Sequence, residues 1–276
     1  MAEFFNHDGG KATRIIGFII GRSGVSVGEE QVNWRASGAL VVAGAVTAAL
    51  VWTTFSGQVL RPHLTGVQTP YLASVLVNLS DVAVMAGLLM LAARAGPGRV
   101  FGLTGLKAPL WRPLIWAAAL FVPAVAIAAL AAPAAREFTG VGLFWQGVGF
   151  PVIEEVIYRG LAVGALILWA GWRWWAACLL PALLFGLVHA GQGTDLGSVA
   201  GVVAIPGLGG LLFGWLFVRW GFNLWPPILL HVGLNSLWIV FALGETALGG
   251  WLGNGLRLAV VAGAVVLTWV MTRRAA

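Results

Sequence analysis

The sequence predicts an all-α membrane protein of about eight transmembrane helices, several of them kinked or broken around a central polar cavity. Three observations support this fold class. Apolar residues make up 59% of the 276 positions, and charged residues make up only 9%. Apolar segments recur at the length of about 20 residues that a bilayer requires. A few of these segments also carry charged side chains, which are costly in lipid and mark functional or structural sites.

The same composition excludes several other classes of protein. A soluble domain of this size leaves roughly a quarter of its unfolded surface in water, which this much apolar surface could not tolerate. The single cysteine, Cys178, excludes a disulfide framework. The net charge of +6 does not indicate nucleic-acid binding, because the basic residues are spread through short loops. We therefore expect the lipid bilayer, and no nucleic acid, as a partner of the chain.

The chain divides into a polar start and a long apolar remainder. Residues 1–35 are polar and glycine-rich, and we interpret them as a cytoplasmic or interfacial segment without a signal peptide. Residues 36–276 are expected to form one transmembrane helical domain, with the motif-bearing core at about 113–243. Pro151, Pro181 and Pro206 fall inside spans and predict kinks or unwound turns. The predicted spans are 36–56, 71–94, 113–133, 141–169, 174–190, 198–218, 224–243 and 252–271.

The basic residues of the loops indicate an orientation. With the N-terminus inside, the outer loops hold only Arg61 and Arg136. This asymmetry predicts an integral membrane protein with both termini in the cytoplasm. The excess of arginine over lysine is typical of a GC-rich bacterial genome, so we expect the bacterial inner membrane. The inner segments hold Lys11, Arg14, Arg22, Arg35, Arg94, Arg99, Lys107, Arg112, Arg173, Arg219, Arg273 and Arg274.

The fourth predicted span carries three charged residues close together. Glu155 and Arg159 stand four residues apart on one helix face, a spacing that suits a structural ion pair. Glu154 points about 100° away around the helix and lacks that partner. We interpret Glu154 as the functional acid, because a second buried carboxylate adds cost without a structural need. A carboxylate facing a cavity could serve as a general base.

Two further spans carry polar residues that are ambiguous by themselves. His189 ends the fifth span, and His231 and Asn235 share one face of the seventh. An imidazole and an amide that converge could donate hydrogen bonds to an oxyanion. They could equally form a polar clamp between helices.

Taken together, three patterns resemble the ordered motifs of the CPBP (CaaX protease and bacteriocin-processing) family of intramembrane proteases, which includes the Ras-converting CaaX endopeptidase. The patterns are Glu154-Glu155-x-x-x-Arg159, Phe185-x-x-x-His189 and His231-x-x-x-Asn235. The resemblance covers roughly residues 113–243 and implies an eight-helix membrane fold. It also implies an intramembrane endopeptidase that acts on a membrane-associated or lipidated peptide. The residues it implies are Glu154, His189, His231 and Asn235 as catalytic groups, with Glu155 and Arg159 in support.

The resemblance assigns a role to each catalytic group. Glu154 would deprotonate the attacking water, which His189 would help to hold. His231 and Asn235 would stabilise the tetrahedral oxyanion. Glu154, His189 and His231 are also an acceptable ligand set for zinc. We favour a mechanism without a cofactor, because Asn235 suits an oxyanion role better than a ligand role, and zinc stays the alternative.

Two other functions stay open at this stage. A non-proteolytic member of the same fold could act as a scaffold or regulator of a partner membrane protein. A proton-coupled transporter could use Glu154 and the histidines as a relay, but the missing internal repeat counts against it. The identity of the substrate and the oligomeric state are not predicted.

Three geometric expectations accompany these hypotheses. His189 and His231 lie near opposite ends of their spans, so tilts, a re-entrant segment or unwound turns near Pro181 or Pro226 must bring them together. Asp81, in the second span, is expected to be structural and paired with a basic residue, with lining of the same cavity as the alternative. The pairs Gly160/Gly164 and Gly210/Gly214 predict packing within the chain rather than a dimer face.

Overall fold

The computed structural model describes residues 36–135, 138–243 and 250–273. Within these ranges the chain is helical and forms no strand, and its one β-bridge joins Ala134 to Phe241. The predicted all-α class is therefore confirmed. The N-terminal segment 1–35, for which an interfacial position is predicted, lies outside the described residues.

The described helices follow one another with short connections. The segment α5, at 140–168, is continuous but contains two stretches wound more widely than an α-helix. One-turn 3₁₀ segments, Arg61–Leu64 and Ala190–Gln192, follow α1 and α6. In chain order the helices are α1 (Ala36–Leu60), α2 (Leu72–Ala93), α3 (Pro97–Gly102), α4 (Trp111–Ala131), α5, α6 (Trp174–Val188), α7 (Leu196–Arg219), α8 (Trp225–Val240) and α9 (Trp251–Thr272).

Six helical stretches in the described residues are long and apolar enough to cross a membrane. Large apolar side chains on them face outward, such as Leu130 at 90% exposure, as expected where the solvent is lipid. The protein is accordingly an integral membrane protein. The six are Gly38–Leu64, Leu72–Ala93, Trp111–Ala131, Trp174–Gln192, Leu196–Arg219 and Trp251–Thr272.

The other two predicted spans, 141–169 and 224–243, coincide with α5 and α8 but are not among these six. Helix α8 has 16 residues, fewer than the roughly 20 that cross a bilayer upright. Helix α5 carries the two adjacent acids and an arginine, which lower its apolar character. The count of eight crossings therefore stays a prediction.

The helices pack closely where small residues face each other. Helix α6 runs along α7, and a Cβ added to Gly210 would lie 3.0 Å from Ala182. A Cβ on Gly160 would likewise lie 3.0 Å from the Thr104 backbone. These glycines permit packing within the chain, as their spacing predicts. Helix α5 lies between α2, α6 and α8, so its polar side chains meet residues of three neighbours.

The prolines inside the spans have different outcomes. Helix α6 continues through Pro181, and α7 continues through Pro206. The unwound turns expected at these two positions are therefore absent from the described helices. Near Pro151, by contrast, the helix leaves regular α geometry, as the next section describes.

Candidate active site

The acidic pair lies in the middle of α5, between two widened stretches. Residues Leu143–Gly149 and Val156–Val163 are wound as π-helix, and Phe150–Glu155 between them is α-helical. Pro151 has no N–H to donate to the preceding turn, which favours a change of winding there. Such π stretches inside helices are frequent at functional sites.

Glu155 is the fixed member of the acidic pair. It is fully buried, and its Oε1 accepts a hydrogen bond from Arg159 Nη1 at 3.0 Å. The predicted ion pair one turn apart is therefore present. The same Oε1 lies 2.8 Å from His231 Nδ1, a contact between α5 and α8. One carboxylate oxygen thus ties two helices together.

Arg159 is buried among aromatic rings. Its guanidinium carbon lies 4.7 Å from the ring centre of Phe185 and 5.1 Å from that of Phe213. Tyr158 supplies a third ring at 5.8 Å. Cation–π contacts and the Glu155 ion pair offset the cost of burying the charge. Arg159 and Glu155 therefore form a structural cluster at the contact of α5, α6 and α7.

Glu154 has different surroundings. Its side chain is 28% exposed, and its Oε2 lies 3.7 Å from Nε2 of His231. The carboxylate borders a cavity of about 230 Å³ enclosed by α1, α2, α5 and α6. The cavity wall includes the polar residues Thr53, Ser56, Arg61, Asn78, Asp81, Glu154, Tyr158, His189 and Gln192.

His189 lies at the C-terminal end of α6 and lines the same cavity. Its Nδ1 is 2.8 Å from the carbonyl oxygen of Phe185. Because a carbonyl oxygen only accepts hydrogen bonds, Nδ1 carries the proton. In the neutral ring Nε2 is then an acceptor. The Phe185 ring packs edge-on against the imidazole at 5.0 Å.

His231 lies between the two glutamates. Nδ1 contacts Glu155, and Nε2 faces Glu154. The ring is 8% exposed and packs against Phe213 at 5.2 Å. Glu155 therefore orients the imidazole, because a carboxylate that accepts a hydrogen bond from one ring nitrogen fixes the direction of the other.

Asn235, one turn after His231 on α8, is held by the backbone of α5. Its Nδ2 donates a hydrogen bond to the Gln146 carbonyl oxygen at 3.3 Å. Gln146 in turn bonds to the Tyr71 hydroxyl through its side chain. Neither Asn235 nor His231 is among the residues that line the cavity. Of the four predicted catalytic groups, two therefore line it, a third contacts Glu154, and the fourth lies one helical turn away.

Both histidines contact the same side chain, Phe185, although they lie near opposite ends of their predicted spans. Both rings pack against Phe185, at 5.0 Å for His189 and 6.3 Å for His231. The expected unwound turn at Pro181 is not the cause, because α6 is regular there. Helix α8 begins at Trp225 and has 16 residues. A helix this short need not cross the bilayer upright, which better explains how His231 reaches the same phenylalanine as His189.

Asp81 lies in a different environment from the one that we expected from the sequence. The expected ion pair with a basic residue is not formed within the described chain, and Asp81 instead lines the cavity that Glu154 borders. It is 7% exposed, and its Oδ1 has no hydrogen-bond partner among the described residues. The sequence signal for a role of Asp81 was an acidic residue inside a predicted apolar span. Asp81 is far from the three motifs along the chain, so the sequence did not indicate that it lines the same cavity as Glu154.

The residues do not form a ready metal centre. No group of three His, Cys, Asp or Glu side chains in the described ranges could hold a metal ion. In the zinc alternative, the Nδ1 atoms of His189 and His231 are already engaged with Phe185 and Glu155. Zinc would have to bind the two Nε2 atoms and Glu154, and these donors do not converge.

The comparisons with known proteins bear on this geometry. Residues 136–237 match a family model described as Type II CAAX prenyl endopeptidase Rce1-like. No curated protein and no solved structure matches the chain. The matched range is just over a third of the chain, and it contains all three motifs. The resemblance predicted from the motifs is thereby confirmed over residues 136–237, which are similar to the Rce1-like family.

Proposed function

We propose that the protein is an intramembrane endopeptidase that hydrolyses a peptide bond of a membrane-associated or lipidated peptide, with a water activated by Glu154 as nucleophile. One observation carries this proposal. Of two adjacent acids, Glu155 is fixed by Arg159 and His231, whereas Glu154 borders a polar cavity. The similarity to the Rce1-like family supports protease activity, and the apolar helices support action within the membrane.

The proposed reaction needs one base that later returns its proton. Glu154 takes a proton from a water molecule while the water oxygen forms a bond to the peptide carbonyl carbon. The carbonyl π electrons move to its oxygen and give a tetrahedral oxyanion. When this intermediate collapses, the C–N bond breaks and the proton on Glu154 passes to the leaving nitrogen. The products are a carboxylic acid and an amine.

The neighbouring groups are proposed to position the water and the oxyanion. His189 Nε2 accepts a hydrogen bond from the water, because Nδ1 is directed at Phe185. His231 can donate to the oxyanion through Nε2 only when its ring carries both protons, since the Nδ1 proton is directed at Glu155. Asn235 has a second N–H besides the one directed at Gln146, and we assign it to the oxyanion.

The dimensions of the cavity limit the substrate. Its volume of about 230 Å³ is below the roughly 300–1,000 Å³ of pockets for drug-sized ligands. It suits a short extended stretch of peptide and a water molecule. Six of its fourteen lining residues come from α1 and α2, which lie outside the matched range. These two helices are therefore proposed to contact the substrate.

We also propose eight crossings, both termini in the cytoplasm and the bacterial inner membrane as location. The loop arginines support this orientation through the positive-inside rule. A phosphatase that is active only outside the cytoplasm is expected to be inactive when fused after Ala276. An active fusion would place the C-terminus outside the cytoplasm and overturn the proposed orientation.

The Glu154→Gln variant tests the enzymatic proposal. Glutamine keeps the size of the side chain but cannot accept the proton, so cleavage of a prenylated CaaX-type peptide should fall by about 10²–10⁴-fold. Mass spectrometry of the peptide after incubation with protein in lipid nanodiscs measures the rate. Arg99→Gln, on the exposed surface of α3, is the matched control and should keep full activity.

Two outcomes would count against this proposal. Unchanged cleavage by Glu154→Gln, at an unchanged melting temperature, would overturn it. Complementation of a deletion strain by the same variant would instead support a scaffold.

Metal dependence is tested separately. Because the donors do not converge, we propose that catalysis proceeds without zinc. Cleavage should persist after treatment with phenanthroline. Strong inhibition that added zinc reverses would overturn the metal-free proposal and leave Glu154 as a candidate ligand.

A further inference from the structure

A second groove lies apart from the Glu154 cavity. Helices α6, α7 and α9 enclose a space of about 440 Å³, and no residue lines both it and the polar cavity. Its wall is mostly apolar. It includes four tryptophans, Trp174, Trp175, Trp215 and Trp269, together with Cys178 and Leu212. We call this space the tryptophan groove.

Two arginines gather at one wall of the tryptophan groove. The guanidinium carbon of Arg219 lies 4.8 Å from the ring centre of Trp269, and that of Arg273 lies 5.9 Å from the same ring. Arg219 ends α7, and Arg273 follows α9. Trp269 is thus both a wall of an apolar space and the platform for two positive charges.

These charges have no acidic partner within the described ranges. The carboxylates there are Asp81, Glu154, Glu155 and Asp195, and none pairs with either arginine. Arg219 Nε is buried without a hydrogen-bond partner among the described residues. The helix C-termini favour nearby cations, which explains where the arginines lie. This preference leaves Arg219 Nε without an acceptor among the described residues.

A third arginine approaches the same end of the helices. Arg112, at the start of α4, lies 5.9 Å from the Trp220 ring centre and donates to the Met271 carbonyl oxygen. Trp220 directly follows Arg219, and Met271 is two residues before Arg273. Three cations therefore surround the ends of α7 and α9, and a bound anion would relieve their mutual repulsion.

We propose that the tryptophan groove binds an anionic phospholipid, with an acyl chain along the tryptophans and the phosphate at Arg219 and Arg273. The apolar wall matches a hydrocarbon chain. The guanidinium groups match phosphate, which arginine binds through paired N–H donors. Tryptophans are typical of the headgroup level of a bilayer, and basic pockets between transmembrane helices bind lipid headgroups. This site does not depend on the proposed protease activity.

Native mass spectrometry of the full chain in detergent tests the charge at this site. With equal phosphatidylglycerol and phosphatidylcholine, we expect the wild type to retain phosphatidylglycerol with a preference of about 30-fold, the effect of two arginines near a membrane surface. The double variant Arg219→Gln/Arg273→Gln should lose that preference. Arg99→Gln, which removes an exposed arginine elsewhere, should keep it. Equal retention of both lipids by the wild type, or an unchanged preference in the double variant, would overturn the proposal.

Two further arms test the groove itself and the source of the phosphate. Leu212→Trp fills the groove while both arginines remain, and it should reduce phosphatidylglycerol retention to the level of the double variant. Undiminished retention would show that the acyl chain lies elsewhere and overturn the assignment. Inorganic phosphate at 10-fold excess should not displace the lipid, because it lacks the chain. Full displacement would overturn a lipid as the occupant.

Discussion

Glu154 and Glu155 are neighbours in the chain, yet they belong to two different regions of the molecule. Glu155 is fully buried and shares one oxygen between Arg159 and His231. Glu154 is partly exposed to a cavity, and its Oε2 lies 3.7 Å from His231 Nε2. A rotation of about 100° along the helix separates a group that holds the fold from one that is available for chemistry.

This difference shows how a membrane protein can keep a reactive acid in place. Burial of a charge without a partner is costly, so the neighbouring acid carries the ion pair that fixes the helix. His231 contacts both regions, so the fixed cluster determines where the imidazole lies beside Glu154. Changes in the cluster should therefore affect stability first, and changes at the cavity should affect activity alone.

The largest effect on stability is expected for Arg159→Leu. Removal of the guanidinium leaves the buried Glu155 with His231 as its one partner among the described residues, which should cost about 3–5 kcal/mol. The denaturation midpoint in a detergent-to-SDS titration measures the loss. The double variant Glu155→Leu/Arg159→Leu should recover part of it, because no unpaired acid remains. A midpoint equal to the wild type in the single variant would remove the distinction between the two regions.

A smaller effect, confined to activity, is expected at His189. Asparagine can still donate to the Phe185 carbonyl but has no atom at the place of Nε2, so His189→Asn should lower the cleavage rate about 100-fold. His189→Gln reaches farther and should keep more activity. The denaturation midpoint should not change in either variant. A loss of stability equal to that of Arg159→Leu would place His189 with the fixed cluster.

The smallest effect is expected at Asp195, a carboxylate outside both regions. It caps α7 by accepting hydrogen bonds from the backbone N–H groups of Ser198 and Gly197, and these bonds hold the pKa of Asp195 below its ordinary value of 3.8. A lowered pKa in the folded state means that the cap stabilises above pH 3.8, and that this contribution is lost as the pH falls through the folded-state value.

Hydrogen exchange at residues 197–199 measures this cap. Asp195→Ala should speed exchange there, with no change at α5. Asp195→Asn should preserve the cap but remove its dependence on pH, because asparagine also caps helices and does not titrate. Identical exchange in the alanine variant would show that the cap contributes nothing.

The relations that lie within one helix were predictable from the sequence. The ion pair of Glu155 with Arg159 and the separate direction of Glu154 follow from helical geometry. The six long apolar helices follow from the length of the apolar runs. The three motifs also predicted the similarity to the Rce1-like family that residues 136–237 show.

Contacts between helices were harder to predict, because spacing along one chain does not fix the register of its neighbours. The Glu155–His231 contact joins residues 76 positions apart. The hydrogen bond from Asn235 to Gln146 and the place of Asp81 in the cavity wall are of the same kind. The widened turns of α5 were not predicted either, although Pro151 marked the region.

The widened stretch Val156–Val163 also sets the angular phase between the two halves of α5. The half before it presents the acids, and the half after it presents Gly164, which fits against the Leu103 carbonyl. Loss of a single residue such as Leu161 would let this stretch tighten into an ordinary helix. The acids and the glycine contact could then no longer both face their partners, so deletion of Leu161 should disturb both halves of α5 at once.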